Sequence, residues 1–177
     1  MEKVRVLEKI KIRDIAWFVG LMAVVAVVPH YVHNQFITGP IVNAVLFIAV
    51  VVLGAGNAIL IGLIPSVVAL VSGLLPAPLA PMVPFIMISN AILILVFSYT
   101  RKVNYWGGVL GATLFKYAFL YLASTIVVNL ISNHNLAAKA AATMMAWPQI
   151  ITALIGGMIA FGVLRILNYA KRDSKGI

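Results

Sequence analysis

The stretch GGVLGATLFKYAFLYLASTIVVN, residues 107–129, decides the fold class of this chain. It is apolar over more than the roughly 20 residues that a helix needs to cross the hydrocarbon core of a bilayer. One cation, Lys116, lies near its middle, and no acidic residue lies within a dozen positions on either side. The stretch therefore predicts a membrane-spanning helix that carries a buried charge, which is a costly and usually functional feature.

The composition of the whole chain agrees with this interpretation. Of its 177 residues, 63% are hydrophobic and only 10% are charged, whereas a soluble domain is near half apolar and about a quarter charged. We therefore expect an integral membrane protein. The absence of cysteine excludes disulfides, thiolate metal sites and a cysteine nucleophile. The basic residues cluster at the termini and in one short loop, a pattern typical of membrane orientation signals and not of nucleic-acid binding.

Six apolar segments are long enough to span the bilayer, and Gly, Pro and polar residues separate them. They cover approximately residues 14–32, 38–54, 57–75, 80–99, 105–131 and 144–168. The sequence thus predicts an all-α bundle of six transmembrane helices. The bundle would form a single membrane domain over residues 14–170, between a basic N-terminal segment at 1–13 and a basic tail at 171–177.

The distribution of Lys and Arg predicts the orientation of this bundle. With six helices, both termini share one side. Of the thirteen basic residues, Lys116 lies within a helix and only Lys139 lies on the opposite side, which leaves eleven on the side of the termini. Cytoplasmic loops are enriched in Lys and Arg, so both termini are predicted to be cytoplasmic and residues 30–38, 75–80 and 132–143 to face outward. The four acidic residues lie in the first 14 or the last five positions, so the membrane interior contains no carboxylate.

Polar side chains within or near the spans are the candidates for a ligand site. Lys116 has no acidic partner, so it would contact backbone carbonyls, lose its proton or meet an anionic ligand. We expect a substrate pocket near the outward end from these side chains: Asn34, Asn43, Asn90, Lys116, Tyr117, Tyr121, Trp147 and Gln149. The alternative account is hydrogen-bonded helix packing together with an interfacial aromatic belt.

Two further patterns have structural as well as functional explanations. Ala16, Gly20 and Ala23 form a stripe of small residues along one face of the first helix, which permits close approach of another helix. His30 and His33 are three residues apart and could share a helix face, but two ligands make a poor metal site. We therefore expect no metal and interpret the histidines as interfacial polar groups.

Three motifs, together with the length of the chain, resemble the substrate-binding S components of energy-coupling factor (ECF) transporters. They are AWFVGLMA at 16–23 in the first helix, TGPIVNAVLF at 38–47, and the glycine-punctuated stretch LGAGNAILIGLIPSVVALVSGLLP at 53–76. The resemblance covers nearly the whole chain and indicates the family rather than the substrate.

The resemblance implies a multi-pass protein of a prokaryotic plasma membrane that binds a vitamin-like small molecule near the outer surface. It implies that the first helix docks onto a membrane coupling protein carried by two ATPase subunits, and that this chain itself is not an enzyme and needs no cofactor. The docking motif of the family, Ala-xxx-Ala, would fall on Ala16 and Gly20, with glycine in place of the second alanine. The lack of a membrane carboxylate disfavours a cationic ligand and favours a neutral or anionic one.

Two other classes of protein remain open. A non-catalytic scaffold of the cell envelope has comparable size and hydropathy and would bind no small ligand. A membrane enzyme is the weaker alternative, because the chain has no HExxH motif, no serine-nucleophile motif and no phosphate-binding glycine loop.

Overall fold

The computed structural model describes residues 12–131 and 147–167, apart from the side chains of 128–131. This part of the chain forms six α-helices and one short 3-10 helix. The α-helices are α1 (Ile12–Tyr31), α2 (Gln35–Leu53), α3 (Ala55–Val71), α4 (Val83–Thr100), α5 (Tyr105–Ile131) and α6 (Trp147–Ile166), and the 3-10 helix (Ala77–Met82) directly precedes α4. The predicted outward segment 132–143 and most of both terminal segments lie outside the described residues.

The all-α prediction is confirmed for the part of the chain that the structure describes. Five of its helical segments are long and apolar enough to cross a membrane, among them the continuous segment of the 3-10 helix and α4. The exception is α3, which is apolar but has 17 residues. At 1.5 Å per residue it spans roughly 26 Å, slightly less than the hydrocarbon core. The cytoplasmic location of the termini stays a prediction.

The connection between α3 and α4 differs from the hydropathy-based prediction. α3 ends at Val71, four residues before the predicted boundary. Ser72 follows as the cap and donates its hydroxyl proton to the carbonyl of Pro29 (2.9 Å). Gly73 then takes a left-handed conformation (φ 81°), the usual way to leave a helix. The proline-rich segment that follows winds into the 3-10 helix, so the predicted start of the fourth span at residue 80 lies inside that turn.

The centre of the bundle is α2, which is buried along most of its length. Its closest neighbour is α6, and glycines permit the close contact. A Cβ atom added to Gly156 would lie 2.9 Å from both the Pro40 carbonyl oxygen and the Ala44 backbone nitrogen, and one added to Gly39 would lie 2.8 Å from the Thr152 side chain. These contacts leave no room for larger residues, as expected where membrane helices pack through small residues.

The two ends of the bundle are packed differently. We call the end at the α2–α3 and α4–α5 turns the closed end. There, aromatic rings form an edge-to-face cluster: Phe47 against Phe97 (4.7 Å between centroids), Phe97 against Tyr105 (5.4 Å), and Tyr105 against Phe161 (5.2 Å). Tyr105 also donates its hydroxyl proton to the carbonyl of Gly157 (2.9 Å). The opposite end, which we call the cavity end, contains the connections α1–α2 and α3–α4 and the start of α6.

Candidate ligand-binding site

Lys116 is fixed at the centre of the bundle by two amide side chains. It is only 4% exposed. Its ammonium group donates to the Oδ1 atom of Asn43 on α2 (2.7 Å) and to the Oδ1 atom of Asn90 on α4 (2.8 Å). The sequence left backbone carbonyls, deprotonation or a ligand as explanations for this lysine. The structure adds a pair of side-chain amides from two other helices.

Backbone carbonyls fix the orientation of both amides. The Nδ2 atom of Asn43 donates to the carbonyl of Gly39 (2.9 Å), and the Nδ2 atom of Asn90 donates to the carbonyl of Gly62 on α3 (2.9 Å). Because the amino groups face carbonyls, both amide oxygens face the ammonium group, as its charge requires. The resulting network connects α2, α3, α4 and α5 through five polar groups and contains no carboxylate.

Lys116 lies at the floor of a cavity of about 240 Å³ that extends to the surface at the cavity end. The polar lining consists of His33, Gln35, Thr38, Asn43, Ser66, Asn90, Lys116 and Gln149. The remaining walls are mostly apolar, with prolines, leucines and other aliphatic side chains from the ends of α1 and α3 and from the α3–α4 connection. A concave, mainly apolar cavity with a few buried polar groups is the usual form of a small-molecule site.

The α1–α2 connection borders the cavity and is fastened to α3. His33 contacts the carbonyl oxygen of Ser72 through its Nε2 atom (2.8 Å), and the Ser72 hydroxyl bonds to Pro29 at the end of α1. Asn34 caps α2 by accepting a hydrogen bond from the backbone of Phe36 (2.9 Å). These bonds define the rim on one side of the cavity.

Four of the eight predicted substrate-binding residues line the cavity, and four do not. Asn43, Asn90, Lys116 and Gln149 are buried lining residues. Asn34 acts as the helix cap and lies outside the lining. Its exposure follows from its place in a connection, where a capping side chain turns back onto the helix start.

The predicted aromatic residues also lie outside the cavity lining. Tyr121 is 50% exposed and Tyr117 is half-buried, with their rings 6.0 Å apart. Successive helical residues are about 100° apart, so the inward position of Lys116 turns Tyr117, and Tyr121 one turn later, away from the cavity. Trp147 is 57% exposed and contacts the ring of Phe36 (6.0 Å), which places it on the outer surface, where interfacial aromatic residues are common.

The sequence did not identify the apolar walls of the cavity, nor Thr38, Ser66 and Gln35. Aliphatic lining residues carry no signal that separates them from helix packing. Thr38 and Ser66 do carry a weak signal, since each is a polar residue beside a proline or glycine within an apolar span. The Thr38 hydroxyl donates to the carbonyl of Val32 (2.7 Å), and the Ser66 hydroxyl donates to the carbonyl of Leu63 (3.3 Å).

The small-residue stripe of α1 lies on the outer surface of the bundle. Ala16, Gly20 and Ala23 are all exposed, and a Cβ atom added to Gly20 would meet nothing within 4 Å. α1 is the least buried of the long helices, with 17% of its span inside the bundle. The stripe therefore packs against no helix of the described chain.

No group of three potential metal ligands of the types His, Cys, Asp and Glu occurs among the described residues. His33 is engaged with Ser72, and His30 packs edge-on against the ring of Tyr31 (4.9 Å). The described residues that line the cavity therefore contribute one ammonium group, one imidazole, amides, hydroxyls and apolar walls. Groups of these kinds are typical of the lining of small-molecule sites.

Comparison with known proteins identifies no relative of this chain: no protein-family model, no curated protein and no solved structure matches it.

Proposed function

We propose that this chain is the membrane-embedded substrate-binding subunit of an ECF-type importer, which captures a vitamin-like nutrient that is neutral or anionic. The single observation that carries the proposal is the buried Lys116 at the floor of a cavity that contains no carboxylate among its lining residues. A buried cation that serves only to join helices is an expensive choice, because neutral side chains join helices without the desolvation cost.

The shape of the cavity supports binding. It extends from exposed residues such as His33 and Pro76 down to Lys116. Its volume of about 240 Å³ suits a compact solute. By the distribution of basic residues its mouth would face outward, the side from which an importer collects its substrate.

The exposed stripe on α1 supports the partner assignment. The resemblance to S components implies docking through Ala16 and Gly20. These residues present a flat surface of small side chains on an edge helix, and close approach of another membrane helix requires such a surface. The coupling protein and its two ATPases would supply ATP hydrolysis, and this chain would supply selectivity.

A thermal-shift screen of the purified chain in detergent tests the proposal. A solute that binds only the folded state stabilises it by RT ln(1 + [L]/Kd), about 2.7 kcal/mol at a hundredfold excess over Kd. We expect one vitamin or a closely related nutrient to raise the unfolding temperature in a concentration-dependent way. A cell-envelope scaffold would gain no stability from any vitamin in the panel, and that result would contradict the proposal.

A further inference from the structure

Most of the buried polar residues that line the cavity are already hydrogen-bonded within the protein. Asn43 and Asn90 use their amide oxygens on Lys116 and one amide proton each on a backbone carbonyl. Thr38 and Ser66 donate to carbonyls of their own neighbourhood. These four side chains are thus hydrogen-bonded before a ligand enters. The lining groups that still lack partners therefore determine which polar groups the ligand must carry.

Among the buried lining residues, Lys116 and Gln149 retain hydrogen-bonding groups that no described residue satisfies. The ammonium group of Lys116 has three protons, and two of them bond to the asparagines. Gln149 is 7% exposed. Its backbone carbonyl accepts from Thr152 (3.2 Å), but its side-chain amide has no hydrogen-bond partner among the described residues. The amide is not among the fully buried atoms that lack a partner, so water in the cavity can satisfy it, and a ligand that displaces this water must replace its hydrogen bonds. Lys116 and Gln149 line the same cavity, so one ligand can satisfy both.

The charge of the floor selects the charge of the ligand. No acidic residue is among the described residues that line the cavity, and the neutral amides solvate the Lys116 cation without neutralising it. A carboxylate on the ligand would complete the third hydrogen bond and cancel the charge. A phosphate ester carries roughly −1.5 to −2 charges at neutral pH and three strong acceptor oxygens, which is more negative charge than the single Lys116 cation balances. The floor therefore favours a monocarboxylate.

The walls select the body of the ligand. They are largely aliphatic and proline-rich, and among the described residues no Phe, Tyr or Trp side chain lines the cavity. The His33 ring lies at the exposed rim and bonds to Ser72. Flat ring systems are commonly bound by stacking on large aromatic side chains, and the described lining provides none. The volume of about 240 Å³ lies below the range of about 300–1,000 Å³ for sites of drug-sized ligands. A compact, mainly aliphatic body meets both conditions.

We infer that the ligand is a compact aliphatic monocarboxylate with an amide or similar donor–acceptor group, whose carboxylate meets Lys116 and whose amide meets Gln149. This inference rests on the proposed function and narrows it from neutral or anionic nutrients to one chemical class. Large planar nutrients such as flavins and folates, and cations such as thiamine, are excluded by it.

Matched pairs of acids and neutral twins test the inference on the intact chain in detergent. Pantothenate and pantothenol differ only in a carboxylate against a hydroxymethyl group, and biotin and biotinamide differ only in a carboxylate against an amide. Binding is measured by titration calorimetry, with riboflavin and thiamine as probes of other classes. We expect wild-type protein to bind one of the two acids at least thirtyfold more tightly than its neutral twin, and neither riboflavin nor thiamine to compete.

Substitutions then assign the discrimination to residues. Lys116→Met is expected to bring the ratio between acid and neutral twin close to one, whereas Lys102→Met, at an exposed position in the α4–α5 turn, leaves the ratio unchanged. Gln149→Leu is expected to weaken binding of acid and twin by similar factors. The comparison of acid and neutral twin on wild-type protein needs no variant. It therefore tests the preference for a carboxylate even if Lys116→Met does not fold.

Each other outcome has a defined meaning. Equal affinity for acid and neutral twin, tighter binding of riboflavin or thiamine, or an unchanged ratio in Lys116→Met would overturn the monocarboxylate inference and leave the proposed binding function standing. If none of the probes binds and the nutrient that stabilises the protein is not a monocarboxylate, the monocarboxylate inference is likewise overturned and the binding function stands. If no probe binds and no nutrient stabilises the protein in the thermal-shift screen, both are overturned.

Discussion

The closed end and the cavity end of the bundle are built by the same helices with different kinds of side chain. At the closed end, α2, α4, α5 and α6 meet through aromatic rings in edge-to-face contact. At the cavity end, α2, α4 and α5 meet through an ammonium group and two amides, with open space beside them. A helix such as α2 thus changes within a few turns from an apolar packing element to the wall of a polar site.

On the proposed function, the two ends have different roles: packing at the closed end stabilises the bundle, and polar groups at the cavity end contact the ligand. Aromatic and glycine-mediated packing joins helices in a membrane without burying charge. The polar cluster around Lys116 joins three helices too, but it carries the desolvation cost of a cation. On the proposed function, the closed end mainly holds the bundle together, and the cavity end keeps the polar groups that a ligand would contact.

The largest expected effect concerns the side of the membrane that each end faces. The chain lacks cysteine, so single cysteines at Asn34 or Ala77 report the cavity end and one at Asn104 reports the closed end; all three positions are exposed. On intact cells, an impermeant maleimide should label the first two and leave the third unlabelled until the membrane is permeabilised. Asn34 and Asn104 both cap helices, so their replacement should have similar structural costs. Labelling of Asn104→Cys in intact cells would show that the closed end faces outward, opposite to the predicted orientation.

The next prediction tests whether the small-residue stripe of α1 is the proposed docking surface and not part of the bundle's internal packing. Gly20→Leu adds bulk to the exposed stripe of α1 without touching another residue of the described chain. We expect transport by cells that carry the complete importer to be lost, because the coupling protein can no longer approach closely. Ligand binding by the isolated chain should stay unchanged. Ala118→Leu, at an exposed position of α5, serves as the control and should retain transport. Loss of folding in Gly20→Leu would instead make the stripe part of the internal packing.

A smaller effect tests the close contact between α2 and α6. Gly156→Ala places a methyl group within 2.9 Å of two backbone atoms of α2, which cannot move as a side chain can. We expect a loss of about 1–3 kcal/mol of unfolding free energy, typical of overpacking. Gly162→Ala on the same helix meets nothing within 4 Å and should be neutral or slightly stabilising. The free energy of unfolding of both variants is measured by denaturation in detergent. Equal values would show that α2 and α6 are not packed closely enough to exclude a methyl group at position 156.

Much of the fold was predictable because hydropathy directly reports burial in lipid. The predicted fifth span, 105–131, coincides with α5, and the glycine at the predicted break between the second and third spans, Gly54, has a positive φ of 83°. The boundaries that failed are those set by hydrogen bonds and turns. α3 stops at Val71 although apolar residues continue, because Ser72 and Gly73 turn the chain.

The site was predictable only in part. Lys116, Asn43, Asn90 and Gln149 were identifiable because polar groups within a membrane span require an explanation. Their pairing was not, since the hydrogen bonds join residues 73 and 26 positions apart, and the sequence carries no direct record of which helices are neighbours. Tyr117 and Tyr121 were misplaced for a related reason: helical periodicity gives relative directions, but only packing decides which direction points inward.

The central claim is that the cavity around Lys116 is the site where the nutrient binds. The most direct test is titration calorimetry of the solute that stabilises the wild-type protein, applied to two variants in parallel. Ala69→Phe projects a ring into the cavity, which Ala69 lines, and Ala118→Phe adds the same ring on the exposed face of α5. The account predicts that Ala69→Phe lowers the affinity by about 100-fold or more, equivalent to about 2.7 kcal/mol, while Ala118→Phe binds as the wild type does. Wild-type affinity in a folded Ala69→Phe variant would contradict it.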